Sequence, residues 1–385
     1  MFNLFTKSAY LDNNSSTPMF AEVVSSMIPY YNKYFYNASG KYAAIVKNDI
    51  LQAKQSIFKI LKANNHKLVF YGGGTDACSS AIIGVAFFNL LNKTGKNRIV
   101  LSALEHDSGV YTVKYLKQFG FEVSYIKVNQ NGELDLEHLK SLLDDKVCLV
   151  SIMLANNEIG NINPIKEIAQ IIKNSKAKDT VFHCDCIAAV GKMDISVDDL
   201  EVDIFSAAAH KFYGPKGVGF NIIKNGVNLV SNIYGSSQEY GLRAGTENTA
   251  GIIGTAKALE IVDSLLPKII EHEHSLIEYF EEKIQQIPNI IINAKNLPRT
   301  GNTSSVSFFG VNKNDVIKAL AEKNIATAGG AASILDAPSR VIEALNLPQG
   351  YALGTVRFSV GYFTKKAEID YLFKYLPNIV SSVRK

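Results

Sequence analysis

Two hydrophobic periods alternate along the chain. Short apolar runs bounded by Gly, Asn or Pro read as buried strands at residues 67–71, 98–102, 122–128, 147–154, 180–184, 202–205 and 217–223. Between most of them, apolar residues recur three or four apart, which is the mark of a helix with one buried face. Ile50, Ile57, Ile60 and Leu61 give such a face over residues 45–61. Further helices are expected at 21–31, 76–91, 110–119, 134–143 and 164–174, the last with Pro164 near its start. Strand-helix alternation of this kind predicts an α/β fold, with a mostly parallel sheet covered on both faces.

After residue 251 the pattern changes. A long helical stretch, 251–287, contains Pro267, expected as a break. Its Glu271-His272-Glu273-His274 reads as a solvated face, because adjacent helical residues point in different directions. Strands at 304–308 and 355–359 then alternate with helices at 313–322, 339–345 and 366–376. The expectation is a large domain over 15–262 and a smaller α+β domain made of 1–14 and 263–385.

Composition narrows the function class. The 385 residues are 47% hydrophobic and 20% charged, which is ordinary for a globular chain. A net charge of +4 is too balanced to suggest nucleic-acid binding. The N-terminus lacks the apolar core and cleavage site of a signal peptide, and no apolar run is expected to cross a bilayer. Four cysteines are too few for a disulfide scaffold, so a reducing cytoplasm is expected. Cys184 and Cys186 share a strand face, and no second pair completes a metal site; they read as packed core thiols.

Polar residues collect where the predicted strands end: Gly72-Gly73-Gly74-Thr75, His106, Asn157, Asp185 and His210-Lys211. Open α/β sheets bind ligands at that edge. Glycines between a strand and a helix expose backbone N–H groups that suit an anion, and the absence of Gly-Lys-Ser/Thr excludes a P-loop. A lysine at a strand end can form a Schiff base with a carbonyl. Together these groups meet the needs of pyridoxal 5'-phosphate: N–H donors for the phosphate, a carboxylate for the pyridine nitrogen, and an amine for the aldehyde. In this reading Asp185 is the carboxylate, His106 lies on the ring face, Asn157 meets the ring oxygen and Lys211 binds the aldehyde, then shuttles protons.

The motifs Tyr10-Leu11-Asp12-Asn13-Asn14, Glu105-His106, Asn156-Asn157-Glu158-Ile159-Gly160, His183-Cys184-Asp185, His210 to Gly219, Arg243-Ala244-Gly245-Thr246-Glu247-Asn248 and Val356-Arg357-Phe358-Ser359 run nearly end to end. In this order they resemble the cysteine desulfurases, within the class V aminotransferases. The resemblance implies the fold-type I pyridoxal-phosphate architecture and a reaction that cleaves the C–S bond of cysteine. It implies that Lys211 carries the Schiff base, that Asp185 pairs with the pyridinium, and that His106 stacks on the ring. Gly74, Thr75 and His210 would hold the phosphate, with Thr246 reaching it from the other subunit of a homodimer. Asn37, Asn157 and Arg357 would handle the substrate carboxylate, a task suited to a planar guanidinium.

The chain departs from that pattern in several places. Ala332 stands where the family has its persulfide-carrying cysteine, and a methyl group cannot attack sulfur. Ala188 replaces a glutamine near the ring oxygen, Ala208 a phosphate-binding serine, and Tyr240 an arginine. Three readings follow: a pyridoxal-phosphate enzyme acting on a small L-amino acid by another route at Cα or Cβ; a desulfurase captured with Cys changed to Ala; or a catalytically idle homologue serving as a binding partner. A sulfur-acceptor protein is expected only with cysteine at 332.

Overall fold

The computed structural model describes residues 7–330 and 336–384. Ala332 therefore lies outside the described residues. After a two-residue strand β1, Ala9–Tyr10, the chain builds seven strands: β2 His66–Tyr71, β3 Arg98–Ser102, β4 Glu122–Ile126, β5 Val147–Met153, β6 Val181–Asp185, β7 Ile204–Ala208 and β8 Gly219–Lys224. They form one sheet in the order β2-β8-β7-β6-β5-β3-β4. The β4-β3-β5-β6-β7 run is parallel, and only β8 opposes its neighbours. This is the α/β fold that the alternation predicts. All seven residues of β5 are buried, as expected for a strand covered on both faces.

Helices seal both faces. In Ile165–Lys173 the buried residues Ile165, Ile168, Ala169 and Ile172 fall on one stripe, and each fully buried Ile contributes roughly 1.5–3 kcal/mol. The expected helix at 21–31 is two pieces, Ala21–Met27 and Pro29–Asn32, because Pro29 cannot continue the first.

Helix Gly74–Leu91 corrects one expectation. Among the described residues it is one helix long and apolar enough, by length and composition, to cross a membrane. Its hydrophobicity has another use here. Ala77, Ala81, Ile82 and Val85 are buried in the core between this helix and β2, β3, β5, β7 and β8.

Helix Thr249–Ile284 runs 36 residues without the break expected at Pro267. Pro267 is exposed, so the carbonyl left without its N–H partner faces water, which can satisfy it. The first half of this helix packs in the core under the large sheet, through Ala250 to Ile269. The second half, from Leu276 to Ile284, packs in a separate core with Ala9, Leu11, Val306, Phe308, Val356 and Phe358. That second core covers a three-stranded antiparallel sheet, β9 Ile290–Ile292, β10 Thr303–Phe308 and β12 Thr355–Ser359, in the order β12-β10-β9. Strand β11, Ile325–Ala326, pairs in parallel with β1.

The solvated face expected at 271–274 is corrected at its third residue. Glu271 and His274 are not buried, but Glu273 is only 2% exposed and is paired with Lys192.

Candidate active site

The carboxyl ends of β5, β6 and β7 and the loop after β2 open onto one cavity of about 330 Å³. Of the residues expected from sequence, Gly74, Thr75, His106, Asn157, Asp185, His210, Lys211 and Arg357 line it. Asn14, Ser15, Met153, Ile187, Ala188 and Gly330 complete the described wall. Asn37 and Thr246 are not brought to this cavity. They are exposed and face each other, Nδ2 to Oγ1, at 3.5 Å.

The glycine run is shaped for an anion. Gly73 takes φ +153° as the N-cap of helix Gly74–Leu91, with no side-chain cap. The first N–H groups of the helix, which have no intrahelical partner, therefore lie at the positive end of its dipole. The loop lies flat on β8: a Cβ on Gly219 would sit 2.4 Å from the Gly73 carbonyl. Ala208 Cβ also packs against this turn and supplies no hydroxyl. Asp76 accepts the Gly72 N–H at 2.8 Å and closes the outer side.

Asp185 ends β6 and is 5% exposed. Burial pushes its carboxyl up. The Ile187 N–H, at 2.9 Å from Oδ1, and the charges of His106 and Lys211 act in the opposite sense. His106 caps helix Asp107–Leu116. Its Nδ1 accepts the Ser108 N–H at 3.1 Å.

Lys211 follows β7 in a short 3₁₀ turn, Ala209–Lys211. Its ammonium donates to the Ser15 carbonyl at 2.9 Å and to the Asn14 carbonyl. Burial, and then the Arg357 guanidinium, lower its pKa from the usual lysine range to about 8. His210 is lowered to about 4 by burial and by Lys211, so its ring is neutral at physiological pH. Arg357, on β12, is 4% exposed. It donates to Asp12 Oδ1 at 2.6 Å, to Ser15 Oγ at 2.9 Å and to the Asn157 carbonyl at 2.8 Å, while its buried Nε has no partner. Below these groups lies Glu105, fully buried. It accepts from Ser102 Oγ at 2.5 Å and from the Met153 N–H at 3.0 Å, and burial raises its pKa to about 8.

Sequence reasoning missed Asn14, Ser15 and Asp12 as partners of Lys211 and Arg357. A usable signal was the run Tyr10 to Pro18, whose turn formers leave backbone carbonyls free of strand pairing. Met153 and Ile187 carry no chemical signal of their own. They follow from lying at, or just beyond, the ends of β5 and β6.

The donor set fits pyridoxal phosphate. A helix N-terminus suits the phosphate, a buried carboxylate the pyridine nitrogen, and a lysine with lowered pKa the aldehyde. Among the described residues, no group of three His, Cys, Asp or Glu could hold a metal. Cys184 and Cys186 are buried with their sulfurs 3.4 Å apart.

The chain is similar to known proteins over nearly its whole length. The profile of the aminotransferase class-V family matches residues 9–372. A cysteine desulfurase IscS of Clostridium botulinum is 36% identical over 385 residues, covering 98% of this chain and 96% of that protein. One of Dictyoglomus turgidum is 36% identical over 384 residues, covering 98% and 96%. Among solved structures, a NifS-like protein superposes with a TM-score of 0.91 at 31% identity, covering 98% of this chain and 100% of that one. SspA in complex with cysteine gives 0.80 at 30% identity, covering 93% and 100%. A strand-edge cavity with this lysine, carboxylate and helix N-terminus, in a chain matched over nearly its whole length, thus belongs to the class V aminotransferase family, as a pyridoxal-phosphate-dependent enzyme similar to the cysteine desulfurases.

Proposed function

We propose that this chain acts on a small L-amino acid in the cavity at the carboxyl ends of β5 to β7. The observation that carries the reading is that Lys211, Asp185, His106 and Arg357 line one cavity together with the helix turn Gly74-Thr75. When bound, the cofactor supplies an electron sink for bonds at the amino-acid Cα. The protein does the rest. The Gly74 and Thr75 end of the helix binds the phosphate, with neutral His210 beside it. Asp185 holds a proton on the pyridine nitrogen. Lys211 Nζ would be the amine that holds the cofactor's aldehyde carbon and, when free, the base placed to move a proton at the substrate Cα. His106, whose Nδ1 is taken by the Ser108 N–H, would lie against the cofactor's ring. Arg357 binds the substrate carboxylate, with Asn157 and Asn37 bordering it.

The outcome at Cβ is the finer part of the proposal. Ala332 cannot carry sulfur, and Cys186 is 0% exposed on the sheet scaffold, where it cannot swing to an acceptor. Ala188 and Ala208 each remove a hydrogen-bonding group toward the cofactor, at a cost of about 1 kcal/mol apiece. Change at several positions favours natural divergence toward β-elimination, another reaction at Cα or Cβ, or transamination, over a single Cys-to-Ala exchange. The exposed Asn37–Thr246 pair, outside its own chain's cavity, supports a homodimer in which Thr246 serves the partner's cofactor. Four buried free thiols support a cytoplasmic location. That helix residues 250–269 and 276–284 pack in separate cores supports a large unit over 15–262 and a small one from 1–14 and 263–385, with Ile269 still packed on the large unit.

A spectral screen of purified protein against the L-amino acids tests this reading, with a shift of the cofactor's visible band marking the substrate. Lys211→Ala is expected to abolish the band. A colourless protein, or a Lys211→Ala variant that binds cofactor as before, refutes the site. Alanine and sulfide from cysteine only after Ala332→Cys would favour the second reading, a desulfurase that has lost its cysteine.

A further inference from the structure

Tyr213 lies two residues beyond Lys211 and takes φ +64°, a left-handed conformation unusual for a bulky residue. It is 0% exposed, and all its polar atoms are engaged. Its N–H donates to Thr17 Oγ1 at 2.7 Å, and its carbonyl accepts the Phe20 N–H at 3.3 Å. Its hydroxyl donates to Glu273 Oε1 at 2.9 Å and accepts the Tyr362 N–H at 2.7 Å. Glu273 in turn pairs with Lys192 at 3.2 Å, whose ammonium stands 5.0 Å over the Tyr213 ring. The hydroxyl thus ties the Lys211 turn to helix Thr249–Ile284 and to the segment that leaves β12, the strand of Arg357. Packing alone does not account for this. A phenylalanine would meet Phe20 and Phe363, 5.0 and 6.0 Å away between ring centres, equally well.

We propose that Tyr213 is a positioning residue: its clamped hydroxyl holds the left-handed turn that fixes where the Lys211 amine emerges, and sets the spacing from that amine to Arg357. This rests on Lys211 being the amine that binds the cofactor. The groups that act on that amine are Arg357 from β12, Asp12 from the N-terminal segment, Asp185 from β6, and Lys192 from the loop after β6. Removal of the Tyr213 hydroxyl changes none of their charges. It lets the turn relax and the amine reach water, and burial is the largest cause of the lowered Lys211 pKa.

The test follows capture of pyridoxal phosphate by the apo-protein against pH, with borohydride trapping and peptide mass to locate the adduct on Lys211. Tyr213→Phe is expected to fold, and to move the midpoint of capture up by about one pH unit, with capture roughly tenfold slower at neutral pH. Phe363→Leu, which loosens the same packing without touching the hydroxyl, is expected to lower stability and keep the wild-type midpoint. Glu273→Gln and Glu273→Leu both leave Lys192 without its carboxylate, but only the glutamine still accepts the hydroxyl. The leucine variant is expected to lie above the glutamine variant, and this comparison decides the matter if Tyr213→Phe does not fold. A wild-type midpoint in Tyr213→Phe, an equal shift in Phe363→Leu, or coincident Gln and Leu profiles overturns the inference while wild-type trapping at Lys211 upholds the site. No trapping at Lys211 in the wild type overturns the site reading itself.

Discussion

Asp12→Asn asks whether Arg357 is held ready for an anion. Arg357 Nη2 and Asp12 Oδ1 are 2.6 Å apart, with side chains 5% and 18% exposed. Asparagine keeps the shape and removes the charge. Breaking a buried pair from one side costs about 3–5 kcal/mol, because the partner charge is left alone. Ser15 Oγ and the Asn157 carbonyl still accept from the guanidinium, so the expected loss is near the lower end, about 3 kcal/mol. Urea unfolding of the apo-protein measures it for the wild type, Asp12→Asn, Arg357→Met and the double variant. The double variant has no orphaned charge and is expected to be more stable than the sum of the single losses by about 2 kcal/mol. Added acetate is expected to stabilise Asp12→Asn more than the wild type, since a small carboxylate can take the place of the lost one. A loss under about 1 kcal/mol, or strict additivity in the double variant, would refute the idea that this guanidinium depends on a carboxylate partner.

Capture of pyridoxal phosphate by the wild-type apo-protein should rise with pH to a midpoint at about 8 and then level, because only the neutral Lys211 amine attacks; a rise that continues past pH 10 would mean an ordinary lysine. The same lowered pKa makes the protonated amine a cost to the fold, so Lys211 contributes stability that rises as pH climbs from about 8 toward the unfolded lysine value. Glu105 has the opposite sign. Its pKa is raised to about 8, so its contribution is fully present below the unfolded glutamate value and is lost as pH rises through about 8. Glu105→Gln should therefore flatten the fall in stability between about pH 4.5 and 8, as read from urea midpoints across that range; an unchanged slope would show that burial does not hold this carboxyl protonated.

Much of the large sheet was legible in the sequence. Strand β5 is almost wholly apolar on both faces, and that run has few other readings. The cavity was legible for a related reason. Parallel strands deliver their carboxyl ends to one edge, which gathers His106, Asp185 and Lys211 there from the order of the strands alone. Strands β9 and β11, of three and two residues, are too short to show a period. Glu273 could not be read as buried, because what draws it inward, Lys192 and Tyr213, lies 81 and 60 residues away. The contacts from Asn14 and Ser15 to Lys211 are made by backbone carbonyls, which every residue type carries. Pro267 misled because the cost of proline depends on whether its turn faces water, and sequence alone does not say so.

One rod joins two of the hydrophobic interiors: helix Thr249–Ile284 gives its first turns to one and its last turns to the other. A tilt of the smaller body against the larger must either bend that rod or unpack one of its ends. The turn at Pro267 already lacks a rung of the ladder and is bathed by solvent, so bending there disturbs least. Any breathing of the cleft between Lys211 and Arg357 would then be hinged far from the chemistry, at a residue that touches neither.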